Sequence, residues 1–268
     1  MENKLNLSVI LPIKSAVTKD FADYFEKAIK SLQIQNKKCD ELVIVHTKEE
    51  QLVKHLTEFD FGDLNVKLVD YDGEPSYQNQ VKLGVEKSNY EWVSFFEFDD
   101  EYSNIWFENV NKYINHYPDI EVFLPIVVDV DSKGVFAGFT NEATFAANFT
   151  QEIGYLTNET LLDYQNFQTA GMVIKKSILE SFGLFKPSIK LTFVYELLLR
   201  LTYNSVRIMT IPKLGYKHVS MREGSIFWNY KNGNEVMSED EVKFWISTAK
   251  KEYFFNDDRN IKYESQNA

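Results

Sequence analysis

The chain has 268 residues, with 29 Lys+Arg against 40 Asp+Glu and a formal net charge of −11. Apolar residues at 44% and charged residues at 26% fit an ordinary folded protein and exclude a collagen-like, coiled-coil or wholly disordered chain. A surface this acidic opposes general binding to nucleic acid or anionic membrane, so an anionic ligand needs a local cation or a metal.

The single cysteine, Cys39, excludes an intramolecular disulfide and fits a reducing compartment. No targeting segment is visible, and the apolar run Leu7 to Ile13, interrupted by Ser8 and Pro12, is far shorter than the ~20 residues of a spanning helix. The expectation is a cytoplasmic protein without a membrane span.

Short apolar runs alternate with amphipathic stretches through the first half, the order of strands joined by helices over a largely parallel sheet. Strands are expected at Leu7 to Leu11, Leu42 to Val45, Val66 to Val69 and Trp92 to Phe98. Between them, Phe21, Tyr24, Phe25, Ala28, Ile29 and Leu32 recur at three and four residues and predict a helix over Lys19 to Gln35. Leu52, Val53, Leu56 and Phe59 mark a second helix, and Val81 and Val85 part of a third. A further helical stripe from Ile105 stops at Pro118, and Val122 to Val130 reads as a strand.

From Asp131 to Thr169 no period is visible. Regularity returns with a strand at Gly171 to Ile174, helices at Ser177 to Phe182 and Val194 to Tyr203, and a strand from Val206 to Ile211. Ser238 followed by Glu241 is a capping box for a C-terminal docking helix, and the polar tail from Asn256 has little to bury.

Trp92-Val93-Ser94-Phe95-Phe96-Glu97-Phe98-Asp99-Asp100-Glu101 is an apolar strand ending in four carboxylates. Strand alternation puts Glu97 and Asp99 on one face, at the strand end where open α/β sheets bind ligands. Paired carboxylates there suit Mg²⁺ or Mn²⁺ bridging to a substrate's phosphates. A solvated acidic turn at the start of the next helix accounts for the same residues equally well.

In order and spacing the chain resembles the family 2 glycosyltransferases over residues 5 to 225. The matching segments are Leu7 to Ser15, Gly73 with Ser76 to Gly84, Glu97-Phe98-Asp99-Asp100 in place of a D-x-D-D run, Thr169 to Ser177, Gly183-Leu184-Phe185, Leu197 to Leu201, and Tyr216-Lys217-His218. The resemblance implies the GT-A fold: α/β, a Rossmann-like, mixed but mostly parallel sheet flanked by helices, in a single domain with a C-terminal helix. Residues 1–130 would form the nucleotide-sugar half and 131–225 the acceptor half. A docking helix region at 226–255 and a tail at 256–268 would follow.

The same resemblance implies a nucleotide-diphospho-sugar donor, Mn²⁺ or Mg²⁺, and attack by an acceptor hydroxyl with inversion. Asp99 would ligate the metal, with His218 as a further ligand or simply a packed histidine. Glu97 would contact the ribose or a metal-bound water. Pro12, Lys14 and Asn79 would line the nucleotide pocket. The acceptor hydroxyl could belong to a glycan, a protein, a lipid-linked carrier or a modified nucleobase. Phe136, Phe139, Phe145, Phe149 and Tyr155 offer rings for stacking a sugar or for packing over the core.

Two departures stand against these matches. The acid expected after strand two is replaced by His46-Thr47-Lys48, and the general base expected about six residues before Arg200 falls on Phe193 and Val194. Glu196 is the nearest acid, but its two-residue offset turns it about 200° away around a helix, and it suits an i,i+4 pair with Arg200. Asp100, Glu101 and Glu223 are the other candidates. The alternative to an active transferase is therefore a catalytically silent GT-A-like protein that binds or supports without turnover. A nucleotidyltransferase ranks last, because no Gly-rich, basic phosphate loop follows strand one.

Overall fold

A computed structural model describes residues 4–16, 20–142 and 155–264. Strands β1 (Leu7–Ile13), β2 (Glu41–Thr47), β3 (Val66–Tyr71) and β4 (Trp92–Phe95) alternate with helices α1 (Phe21–Gln33), α2 (Glu50–Glu58) and α3 (Tyr77–Lys87). There follow β5 (Glu101–Tyr102), α4 (Trp106–His116), β6 (Val122–Val130), β7 (Phe136–Thr140), β8 (Tyr155–Leu156) and α5 (Asn158–Asp163). The rest comprises β9 (Val173–Lys175), α6 (Lys176–Phe182), α7 (Phe193–Tyr203), β10 (Ile208–Val219), α8 (Ile226–Asn232) and α9 (Glu239–Glu252).

All ten strands among the described residues join one sheet, with the path β3-β2-β1-β4-β9-β6-β10-β5, β7 on β6 and β8 on β10. Neighbours from β3 to β4 are parallel, β9 runs against both β4 and β6, and β6 and β10 are parallel. Helices cover both faces. In β1, Leu7, Val9, Leu11 and Ile13 face the core formed with α1, α2 and α4, while Ile10 faces the core formed with α3, α7 and α9. Every residue of β1 is buried, as a central strand covered on both sides requires.

α3 lies directly on the sheet because Gly84 has no side chain, and a Cβ there would collide with Ile10. From the same helix, Gln80 Nε2 donates to the carbonyls of Ile13 at 3.0 Å and Val45 at 3.1 Å, fixing the carboxyl ends of β1 and β2.

Two differences from the sequence reading bear on function. Strand four stops at Phe95 rather than Phe98, and Glu97 to Asp100 form a turn closed by Asp100 N–H donating to Glu97 O at 3.2 Å. β10 continues past Ile211 to Val219, crossing Pro212 and Gly215 with register shifts, and brings His218 opposite Asp129 of β6. Proline and glycine read locally as a strand end, but here they mark bulges.

The region from Asp131 to Thr169 contains β7, β8 and α5, whereas Phe145 and Phe149 lie outside the described residues. The C-terminal helix is capped as expected, Ser238 Oγ accepting from Glu241 N–H at 3.2 Å. The tail through Glu264 is not loose: Asp258 accepts from Ser188 N–H at 3.0 Å, and Ile261 and Tyr263 pack on the core. Residues 265–268 lie outside the described chain. No described helix is long and apolar enough to cross a membrane.

Candidate functional site

A cavity of about 1040 Å³ opens at the carboxyl ends of β1, β4 and β10. Pro12 and Lys14 reach it from the end of β1, Asn79 from the first turn of α3, and Glu97 and Asp99 from the turn after β4. His218 and Arg222 close it from β10 and the loop beyond, and Phe193, Phe227 and Tyr230 line the α7–α8 side. Pro12, Lys14, Asn79, Glu97, Asp99 and His218, widely separated in sequence, therefore border one space.

The turn after β4 decides which acids meet. A β-turn brings its first and fourth residues together, so Glu97 gathers with Asp100 rather than pairing with Asp99 as strand alternation implied. Glu97, Asp100 and His218 each offer one ligand atom, and these atoms lie within 4.8 Å of one another. Asp100 is fully buried; its Oδ1 accepts from Val219 N–H at 2.8 Å and its Oδ2 lies 3.0 Å from His218 Nδ1. The Glu97 carboxylate has no hydrogen-bond partner among the described residues, while its N–H donates to Tyr216 Oη at 3.2 Å.

Asp99 faces a different partner. Its Oδ2 accepts from Arg222 Nε, whose guanidinium lies over the Phe98 ring, 4.7 Å from its centroid. The metal ligand implied by the resemblance is thus bound to an arginine, and the oxygen- and nitrogen-rich group beside it comprises Glu97, Asp100 and His218. The two carboxylates suit Mn²⁺ or Mg²⁺, and the imidazole beside them favours Mn²⁺ over Mg²⁺, which takes oxygen ligands.

The electrostatics reflect two buried acids crowded together. Burial and the Asp100 charge push the Glu97 carboxyl up to about 8. Burial and Asp100 also raise Asp99, against the opposing pull of Arg222. Burial disfavours the charged form of His218, but contact with Asp100 outweighs it and lifts the imidazole to about 10. Such a site binds a cation only by displacing protons.

The candidate bases are placed as follows. Glu196 does not border the cavity; it is fully buried between Arg200, at 2.9 Å, and Lys186, at 2.8 Å. Its place in the first turn of α7 turns it into the core, as the helical offset predicts. Asp100 is shielded behind His218, and Glu101 pairs with Lys217 at 2.6 Å in a separate cleft. Glu223 is exposed outside the cavity. Phe193 and Val194 themselves line the cavity at the start of α7.

Sequence reasoning missed Arg222 and helix α8. A signal was available: Arg222 stands in Arg222-Glu223-Gly224-Ser225, where Gly224 adopts φ +82° and Ser225 caps α8 by accepting from Trp228 N–H at 3.3 Å. Met221 also has positive φ, at +56°, so the chain folds back after β10 and returns the arginine to Asp99.

No protein-family model matches the chain, and no curated protein does. Among solved structures, Staphylococcus aureus TarS residues 1–349 has a TM-score of 0.58 at 18% identity, covering 81% of this chain and 61% of that one. TarS 1–349 in complex with UDP-GlcNAc also gives 0.58 at 18% identity, with coverages of 84% and 61%. A longer TarS structure gives 0.55 at 16% identity, covering 93% of this chain and 44% of that one. The chain therefore spans less than two thirds of these neighbours' length. The likeness shows the fold: a GT-A-type, mixed α/β single sheet flanked by helices.

Proposed function

We propose that the chain is a glycosyltransferase that moves a sugar from a nucleotide-diphospho-sugar to an acceptor hydroxyl with inversion. The observation that carries this reading is the grouping of Glu97 and His218, which border the cavity at the carboxyl edge of a GT-A sheet, with the buried Asp100 behind them. TarS was solved with UDP-GlcNAc, which favours the same donor class here. Pro12, Lys14 and Asn79 would hold the nucleotide. Glu97, Asp100 and His218 would hold Mn²⁺ or Mg²⁺, which when bound supplies positive charge beside the diphosphate.

The acceptor oxygen attacks the anomeric carbon, the bond from that carbon to the diphosphate oxygen breaks, and its electron pair leaves with the diphosphate. The acceptor proton must pass to a base. Among the described carboxylates bordering the cavity, Asp99 is paired with Arg222 and Glu97 belongs to the candidate metal group, leaving Glu74 and Glu235. The acceptor would lie toward α8, where the Phe227 ring is parallel to that of Phe193, with centroids 6.3 Å apart.

A second reading, donor binding without turnover, is favoured by Phe193 and Val194 at the position where the resemblance calls for the base. Turnover separates the two. The protein is incubated with UDP-, GDP-, ADP-, CDP- and dTDP-sugars in Mn²⁺, and release of nucleoside diphosphate is followed with and without simple glycoside acceptors. Metal-dependent release supports the transferase. Binding with no release from any donor supports the silent reading.

A further inference from the structure

We propose that the acceptor hydroxyl is phenolic, so that the site takes an aryl ring and transfers the sugar to the oxygen that ring carries. The inference rests on the nucleotide-sugar reading above and names the class of its acceptor.

The first observation concerns the base. Phe193 and Val194 line the cavity at the start of α7, where the resemblance calls for a carboxylate. Among the described carboxylates bordering the cavity, only Glu74 and Glu235 stand apart from Arg222 and the candidate metal group. Both are exposed, and Glu235 lies 3.9 Å from Lys190. A weakly acidic hydroxyl that needs a desolvated base beside it is poorly served here.

The second observation concerns the wall that replaces the base. Phe227, 41% exposed, lies parallel to Phe193 with 2° between the ring planes, and Ile226 borders the cavity beside it. Polar side chains along α7 and α8 are turned to the protein. Thr192 Oγ1 donates to Trp245 O at 2.7 Å, Tyr195 Oη donates to Leu161 O at 2.8 Å, and Ser225 Oγ accepts from Trp228 N–H at 3.3 Å. Such a wall leaves the hydroxyls of a sugar acceptor unmet, whereas an aryl ring buries its face against Phe227 with no polar group to satisfy.

A phenol meets both conditions. It ionises at about pH 10, between roughly five and six units below water, and aliphatic hydroxyls are weaker acids than phenols. At pH 8 roughly one phenol in a hundred is already phenolate. The proton passes to solvent at the open mouth of the cavity before transfer. The phenolate oxygen then bonds to the anomeric carbon, the bond from that carbon to the diphosphate oxygen breaks, and the electron pair leaves with the diphosphate. The products are an aryl glycoside and a nucleoside diphosphate.

The test is an acceptor panel with the wild-type protein, Mn²⁺ and UDP-, GDP-, ADP-, CDP- and dTDP-sugars, with glycoside formation read by mass spectrometry and donor binding by calorimetry. The acceptors are phenol, 4-chlorophenol, N-acetyltyrosinamide, benzyl alcohol and methyl glycosides. Benzyl alcohol keeps the ring but carries an aliphatic hydroxyl, so it separates stacking from acidity. With at least one donor the phenols should react at least about a hundredfold faster than benzyl alcohol or the methyl glycosides, the lower end of what a general base is worth. Phe227→Leu should raise KM for the phenols severalfold, with kcat changed less and donor affinity unchanged. Methyl glycosides or benzyl alcohol glycosylated as fast as the phenols would overturn the proposal, as would an unchanged KM in Phe227→Leu. Donor binding without transfer to any phenol would also overturn it while leaving the nucleotide-sugar reading of the cavity standing. Absence of binding by every donor removes that reading and the proposal with it.

Discussion

Glu196 gives both carboxylate oxygens to Arg200, one helical turn later, with Oε1 accepting from Nε and Oε2 from Nη2, each at 2.9 Å. Lys186 Nζ adds a contact to Oε1 at 2.8 Å and also donates to the carbonyls of Glu252 and Phe255, so the group ties α7 to the C-terminal segment. Arg200 further donates to the carbonyls of Phe182, Gly183 and Leu184 at the C-terminal end of α6.

Removing one member of such a group leaves buried charge without compensation. Glu196→Gln is expected to lower unfolding stability by about 3 kcal/mol or more, read from urea denaturation. Donor binding by the folded fraction should stay at wild-type strength. Unchanged stability together with lost transfer would instead place Glu196 in the reaction.

The Asp100–His218 contact supports a metal prediction. His218→Ala should abolish Mn²⁺ binding followed by electron paramagnetic resonance. Asp100→Asn should weaken it about 10- to 100-fold, the range for groups that hold or orient a ligand. Asp99→Asn should weaken it less than Asp100→Asn does. The reverse order would restore Asp99 as the principal ligand.

The same cluster sets a pH dependence in EDTA. Glu97, with an ordinary value of 4.5, rises to about 8 because of burial and Asp100, and His218, with an ordinary value of 6.5, rises to about 10 through Asp100 despite burial. Both groups hold protons more tightly folded than unfolded. Their contribution to stability is complete below the unfolded values and is lost as pH rises, from 4.5 to about 8 for Glu97 and from 6.5 to about 10 for His218. The metal-free melting temperature should therefore carry a falling component between about pH 5 and about pH 9. Mn²⁺ competes with those protons, so the stabilisation it adds should grow with pH. A metal increment that is flat across that range would contradict the cluster as the binding site.

Gly171 couples packing to the site. It has φ +69°, and a Cβ there would lie 2.5 Å from Cδ2 of Tyr216, whose hydroxyl receives the Glu97 N–H. Gly171→Ala should cost more than the ~1–2 kcal/mol of left-handed strain and should also weaken Mn²⁺ binding. Gly134, at φ +79° with nothing within 4 Å of an added Cβ, provides the control. Gly134→Ala should show the strain alone.

Local pattern made much of the sheet legible. Val122–Val130 was readable residue for residue, and the α1 stripe fell within two residues of each helix end, because burial on one face imposes a period. The site was less legible for a physical reason. Whether Glu97 meets Asp99 or Asp100 depends on where β4 ends, and a run of Phe95, Phe96 and Phe98 does not reveal a turn. The placement of His218 beside Asp100 depends on β10 crossing Pro212 and Gly215, which local chemistry reads as a stop. Arg222 depends on two left-handed residues that return the chain to a position 123 residues earlier. Glu196, by contrast, was readable as a partner of Arg200 from helical spacing alone.

The most direct measurement is equilibrium binding of UDP-, GDP-, ADP-, CDP- and dTDP-sugars to the wild-type protein in Mn²⁺, followed by calorimetry beside Lys14→Ala and His218→Ala. At least one nucleotide-sugar should bind, both substitutions should weaken it, and the matching free sugar should not compete. Failure of every nucleotide-sugar to bind the folded protein, with or without metal, would contradict the assignment of this cavity to a sugar donor.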